Sequence, residues 1–220
     1  MARLSNAAGR FALKPKLQRS PFEVLARAIA HQQLNGTAAE RILGRLCALY
    51  PDRGFPTPET LGKTDAHVLR AVGFSFAKVS ALHDLAEKAA AGLIPDGAAL
   101  IALDDDAIIE RLTAVRGIGR WTVEMLLMTQ LGRPDVWPVG DFGVRNGFRL
   151  AYGLKRMPTP KALHEFGEIW RPHRSAAAWY LWRAVDLHRA GKLPKPPGRA
   201  PKIRLEKPGK AVAGKPAKKK

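Results

Sequence analysis

A single carboxylate, Asp141, stands at the end of a loop punctuated by Gly132, Pro134, Pro138 and Gly140, just before a helix-compatible run. A carboxylate delivered in this way can stabilise positive charge developing on a reacting partner and orient or deprotonate an attacking water. It can equally cap the helix that begins near Phe142, and the two roles are compatible because both use the charged carboxylate. Upstream, Gly117-Ile118-Gly119 interrupts two helical patterns. Two glycines around one apolar residue permit positive φ and close approach of a partner, while Ile118 can plug the gap between the helices. The turn opens a helix, so its amides favour an anion such as a phosphate, with Arg120 and Thr122 within reach. An ordinary turn between antiparallel helices has the same appearance.

The elements that must position these groups are all helical. Ser20 and Pro21 signal a helix over 22–32 with Phe22, Leu25, Ala26 and Ile29 at helical spacing, and a second helix over 36–50 buries Ile42, Leu43, Leu46 and Leu49. Asp65 caps a short helix ending at Gly73, and a further helix turns Val79, Leu82, Leu85 and Ala86 inward while Lys78 is solvated. Asp104-Asp105-Asp106 precedes a helix, where carboxylates are favoured by free N–H groups, so capping outweighs a metal cluster. The run 176–182, apolar nearly all round, belongs deep in the fold. No segment shows convincing period-two alternation, and the expected fold is all-α.

The chain has 220 residues, 46% of them hydrophobic, with 37 Lys+Arg against 19 Asp+Glu and a formal charge of +18. That excess points to an extended anionic partner, nucleic acid first. Residues 191–220 hold eleven Lys+Arg against Glu206, a charge of +10, and leave +8 on the rest. With almost no large apolar groups, this tail is expected to be disordered; residues 1–20 are expected to be a basic extended arm, and 21–190 the folded domain. There is no apolar stretch of spanning length and no signal-peptide pattern, so no membrane is expected and the compartment reads as cytoplasmic, associated with the nucleoid. One cysteine, Cys47, cannot hold an iron–sulfur cluster, and six scattered histidines make no zinc pattern.

Taken together, the hairpin, Trp121-Thr122 after it, the spacing to Asp141, His31-Gln32-Gln33, and RPHRSAAAWYLWR at 171–183 resemble the helix-hairpin-helix, Gly/Pro-loop, Asp superfamily of DNA glycosylases. Within it they resemble the DNA-3-methyladenine glycosylase II group. The resemblance covers residues 21–189, and with about 110 residues before the hairpin it is to the compact form, without an extra N-terminal β-rich domain. It implies a two-lobed helical fold with a DNA-binding cleft between the lobes and Asp141 as the catalytic carboxylate. Gly117, Gly119, Arg120 and Thr122 would contact DNA phosphate, and the corner Gln33-Leu34-Asn35 would be a minor-groove wedge filling the hole left by a flipped nucleotide. That corner also reads as a plain helix-helix connection.

Superfamily members that cut the strand carry a lysine nucleophile where this chain has Trp121, so the resemblance implies hydrolysis without lyase activity. In the group the matching tryptophan lines the base pocket, where it can stack on a flipped, cationic base. Met125 lies one turn on; Trp137 and His173 are further pocket candidates. Trp121 and Trp137 also read as core aromatics, and His173 as an exposed loop residue. The resemblance further implies a monovalent cation, Na+ or K+, on the backbone carbonyls of Thr113, Val115 and Ile118, with no cofactor required. The resulting expectation is a monomeric glycosylase removing alkylated purines from damaged duplex DNA. A glycosylase for deaminated or mismatched bases and a non-enzymatic hairpin module are the rivals.

Overall fold

The computed structural model describes residues 1–15, 19–52 and 54–207. In chain order its helices are α1 Ala2–Ala8, α2 Pro21–His31, α3 Gly36–Ala48, α4 Pro58–Lys63, α5 Ala66–Ala71, α6 Phe76–Ala90, α7 Gly97–Ala102, α8 Asp105–Thr113, α9 Arg120–Thr129, α10 Phe142–Ala151, α11 Pro160–Gly167 and α12 Arg174–Arg189. A single 3-10 turn, Glu168–Trp170, follows α11. Among the described residues there is no strand, only an isolated bridge between Pro158 and Leu205. The all-α expectation holds. The chain divides into two compact units, residues 13–136 and residues 1–12 with 137 onward.

In the unit 13–136, short-range side-chain oxygens start the helices. Ser20 accepts from Glu23 N (3.2 Å), Asn35 from Ala38 N (2.8 Å), Asp65 from His67 N (2.6 Å) and Asp104 from Ala107 N (2.8 Å). Each such cap contributes about 1 kcal/mol. The aspartate run at 104–106 is thus a helix start, and no metal-binding cluster occurs among the described residues. Asp105 pairs instead with Arg133 (3.1 Å), and burial pushes its carboxyl above the usual carboxylate range. The core is built on α6, whose Leu82, Leu85 and Ala86 are buried against α2 and α4. Lys78 departs from the solvated reading. It is half-buried, donates to the Ala30 carbonyl at the end of α2 (2.7 Å), and burial lowers its pKa.

In the other unit, α10 lies against α12 with no room to spare. A Cβ on Gly147 would run into the backbone carbonyl of Leu181, so only glycine lets the helices approach this closely. Phe148 is fully buried, stacked with Tyr152 and edge-on to Phe166 and Trp170, and its burial alone contributes about 1.5–3 kcal/mol.

Both chain ends depart from expectation in this unit. Residues 2–8 are helical rather than extended, with Leu4 buried, and α1 packs on α12. Phe11 stands edge-on to Trp179 (5.6 Å), and Tyr180 Oη donates to Gly9 O (3.1 Å). The aromatic face of α12 needed a cover, and the N-terminus supplies it. The supposed disordered tail begins as a docked segment: Thr159 N donates to Arg204 O (2.9 Å), Glu206 N donates to Met157 O (3.0 Å), and Arg3 donates to Pro196 O (3.3 Å). Residues 208–220, the rest of that expectation, lie outside the described residues.

Candidate active site and nucleic-acid hairpin

The turn between α8 and α9 has Val115 and Ile118 buried beneath it, so Ile118 plugs the hairpin as its sequence position suggested. Gly117 takes φ 78, a left-handed conformation that favours glycine; Gly119 takes φ −96, where any residue is allowed. What distinguishes Gly119 is open space, with no atom within 4 Å of where a Cβ would stand. The first bonds of α9 run from Thr122 N (2.9 Å) and Val123 N (3.3 Å) to Gly119 O, so the amides of Gly119 and Arg120 precede the ladder at its N-terminus. Arg120 pairs with the buried Glu124 (3.0 Å) yet keeps an exposed guanidinium, and Thr122 is half-buried.

Residues that sequence reasoning passed over hold this turn. Asp84 accepts from Arg116 N (2.7 Å) and from Lys88 Nζ (2.8 Å), while Lys88 also donates to Ala114 O (2.7 Å). Burial pushes the Asp84 carboxyl up, but the Arg116 amide and the Lys88 ammonium outweigh it and hold the group below the usual carboxylate range. On the other side Gln32 Nε2 donates to Gly117 O (2.7 Å), tying the α2–α3 corner to the hairpin. Only their i, i+4 spacing on α6 marked Asp84 and Lys88; nothing local marked the carbonyls they serve.

In that corner Gln33 has φ 56, the sole non-glycine residue with positive φ among those described, a conformation of appreciable cost. Gln33 and Leu34 are exposed. Asn35, the third wedge candidate, uses its side-chain oxygen to cap α3.

Beside the corner is a cavity of ≈ 630 Å³, a volume suited to a small flat ligand. Trp121, Met125 and Thr129, one turn apart on α9, form one wall, and Arg27, His31 and Gln33 contribute to the other. Trp121 is 50% exposed, so the core reading of this residue falls. The polar end is a network in which His31 Nε2 lies 3.0 Å from Glu40 and Arg27 pairs with Glu23 (2.8 Å).

Asp141, Trp137 and His173 belong to the other unit. Asp141 caps α10: its Oδ1 accepts from Val144 N (2.7 Å), and from the indole Nε1 of Trp182 (2.8 Å). A Cβ on Gly143 would sit 2.8 Å from Trp182 Cδ1 and 3.0 Å from Asp141 Oδ1, so the glycine leaves the space in which the two meet. Sequence reasoning placed Trp182 only as part of an apolar helix; the 41 residues to Asp141 hid the bond.

Trp137 corrects the expectation of a pocket wall. It is buried, donates from Nε1 to Leu163 O (2.9 Å), stands edge-on to Trp170 (5.2 Å), and is packed so tightly by Gly167 that a side chain there would overlap the indole. It is core. His173 is the exposed residue preceding α12, and its amide donates to Trp170 O (2.7 Å).

Comparison with known proteins bears on this arrangement. The family model described as HhH-GPD superfamily base excision DNA repair protein matches residues 26–172. DNA-3-methyladenine glycosylase 1 of Schizosaccharomyces pombe is 44% identical over 170 residues, covering 77% of this chain and 75% of its own. DNA-3-methyladenine glycosylase 2 of Escherichia coli is 30% identical over 169 residues, 73% of this chain but 56% of its own length. Among solved structures, the S. pombe 3-methyladenine DNA glycosylase in complex with abasic DNA superposes with a TM-score of 0.74 at 42% identity, covering 84% of this chain and 91% of that one. A DNA-3-methyladenine glycosidase from Bacillus halodurans gives 0.75 at 34% identity, covering 86% and 87%. With the family model spanning the hairpin, the Gly/Pro loop and Asp141, the chain belongs to the HhH-GPD superfamily of base excision DNA repair proteins.

Proposed function

We propose that the protein is a monomeric, monofunctional DNA glycosylase that hydrolyses the N-glycosidic bond of alkylated purines in duplex DNA, 3-methyladenine and 7-methylguanine foremost, and leaves an abasic site. The observation that carries this is the carboxylate of Asp141, fixed by Val144 N and Trp182 Nε1 at the end of the Gly/Pro loop in a chain of this family. In the reaction the C1′–N bond breaks and the base leaves with its electron pair. Asp141 stabilises the positive sugar and orients the water whose oxygen bonds to C1′; the water's proton passes through the carboxylate to solvent.

Methylation at N3 or N7 makes the base a cation, which weakens the bond and makes the leaving group neutral on departure. No protonating residue is then required. The exposed face of Trp121 suits a flipped cationic base, with stacking worth about 0.5–2 kcal/mol, and the absence of an amine at this position supports attack by water rather than a Schiff base. The hairpin amides of Gly119 and Arg120 suit a phosphate, and Gln33 and Leu34 suit the wedge. A monovalent cation on the carbonyls of Thr113, Val115 and Ile118 belongs to the same proposal. Its support is the hard oxygen donor set of the turn, in which Val115 O also accepts from Ile118 N (3.0 Å) and the neighbouring carbonyls, Ala114 and Gly117, accept from Lys88 and Gln32.

The test is chromatography of bases released from methylated duplex DNA beside duplexes carrying hypoxanthine or uracil. Faster release of 3-methyladenine and 7-methylguanine is expected, with Trp121→Ala narrowing the gap. Preferential release of a neutral base would overturn the charge argument.

A further inference from the structure

We infer that residues 201–207 and the loop they pair with form a preassembled basic ridge that grips the phosphate backbone of duplex DNA, with Glu206 as its anchor rather than a repelling charge. The inference rests on the proposed function only in taking DNA as the partner.

The segment alternates. Ile203 and Leu205 are half-buried, while Lys202, Arg204 and Lys207 are exposed. It is held in register by the bridge of Leu205 with Pro158 and by the two backbone bonds to Met157 and Thr159. The chain it pairs with is flanked by Lys155, Arg156 and Lys161, all exposed. One antiparallel pairing therefore gathers cations from two stretches about 45 residues apart into one patch.

The one acid of the segment, Glu206, does not dilute the patch. Its carboxylate pairs with Arg145, which also donates from Nη2 to Pro158 O (2.9 Å), so a single guanidinium clamps the carboxylate and the loop together. The Arg145 side chain is 13% exposed, and its charge is neutralised internally. Arg145 lies one turn along α10 from Asp141, about 6 Å by helix geometry, so the ridge is tied to the helix that Asp141 caps.

The partner follows from the spacing. Outward side chains two residues apart on an extended segment are about 6.6–7 Å apart, so Lys202 and Arg204 can meet separate phosphates of one DNA strand, which carries a charge about every 3.4 Å along the helix axis. Because the segment is already ordered, binding does not have to order it, as it would a free tail.

Binding of the full chain to a duplex containing an abasic-site analogue is measured by fluorescence anisotropy as a function of salt. For K202Q/R204Q the slope of log Kd against log salt is expected to fall by about 1.8, or 0.9 per cation. An unchanged slope overturns the ridge. Glu206→Lys adds positive charge but breaks the clamp, and weaker binding than wild type is expected; tighter binding overturns the anchor. Wild-type protein that bound DNA but excised no base would fail the proposed function while leaving both comparisons readable, whereas normal excision with an unchanged double-variant slope would fail this inference alone.

Discussion

Replacing Asp141 with Asn separates the helix capping its geometry shows from the catalysis proposed for it. Oδ1 accepts from Val144 N and from Trp182 Nε1, and an asparagine carbonyl can accept from both. Asn and Asp cap helices about equally well. The stability cost is therefore limited to the charge: about 0.3–1 kcal/mol for its interaction with the N-terminus of α10, and about 1 kcal/mol for turning the Trp182 bond from charged to neutral. A total of about 1–2 kcal/mol is expected. Asp141→Ala removes the cap as well, about 0.5–2 kcal/mol, and leaves a part-buried indole N–H unpaired, about 1–3 kcal/mol. Excision should respond differently, since both variants remove the charge that the proposed mechanism sets against the sugar; such electrostatic groups are worth about 10²–10³ in rate. Single-turnover cleavage of methylated duplex with enzyme in excess, alongside urea unfolding, reads both quantities. Asparagine is expected to lose most excision with modest destabilisation, and alanine to lose excision with a larger drop in stability. An asparagine variant excising within a few-fold of wild type would reduce Asp141 to a cap and refute the mechanism.

Trp182→Phe keeps an aromatic ring against Gly143 but removes the donor, so excision is expected to fall about 10–100-fold, the cost of a misplaced reacting group, with DNA affinity unchanged; equal losses in both would make Trp182 merely structural. Asp84→Asn should destabilise the protein by about 1–2 kcal/mol at pH 7. The folded Asp84 carboxyl lies below its ordinary value, so its contribution is present above about pH 4 and is lost as pH falls through the folded value. The gap between wild type and variant in urea midpoint is expected to shrink at pH 3, and a gap independent of pH would contradict the brace. Borohydride added during turnover is expected to trap no covalent protein–DNA complex, because Trp121 offers no amine; an efficient trap seen on denaturing gels would reverse the monofunctional assignment.

What could be read from the sequence was what depends on near neighbours. Ser20, Asp65, Asp104 and Asp141 all bond amides two or three residues away, so the residue type and the run after it suffice to place helix starts. The hairpin was legible for the same reason: the left-handed Gly117 and the buried Ile118 are properties of a six-residue turn.

What the sequence left open depended on partners far along the chain. Trp121 and Trp137 are both indoles in or beside helical runs, with equal local claims to pocket or core. Gly167 and the Leu163 carbonyl enclose one, while the other stands exposed on the wall of a cavity. Composition made residues 191–220 look unable to order, because a segment poor in apolar groups cannot offset its entropy alone. The tertiary structure supplied what that argument lacked, a loop edge at Met157–Thr159 with an amide to give and a carbonyl to take, and a guanidinium at Arg145 for Glu206. Likewise the N-terminal residues are ordered by aromatic groups of α12, about 170 positions away. Propensity and capping are local energies and are written in the order of residues; burial and long-range pairing are set by which surfaces meet, and only the folded chain decides that.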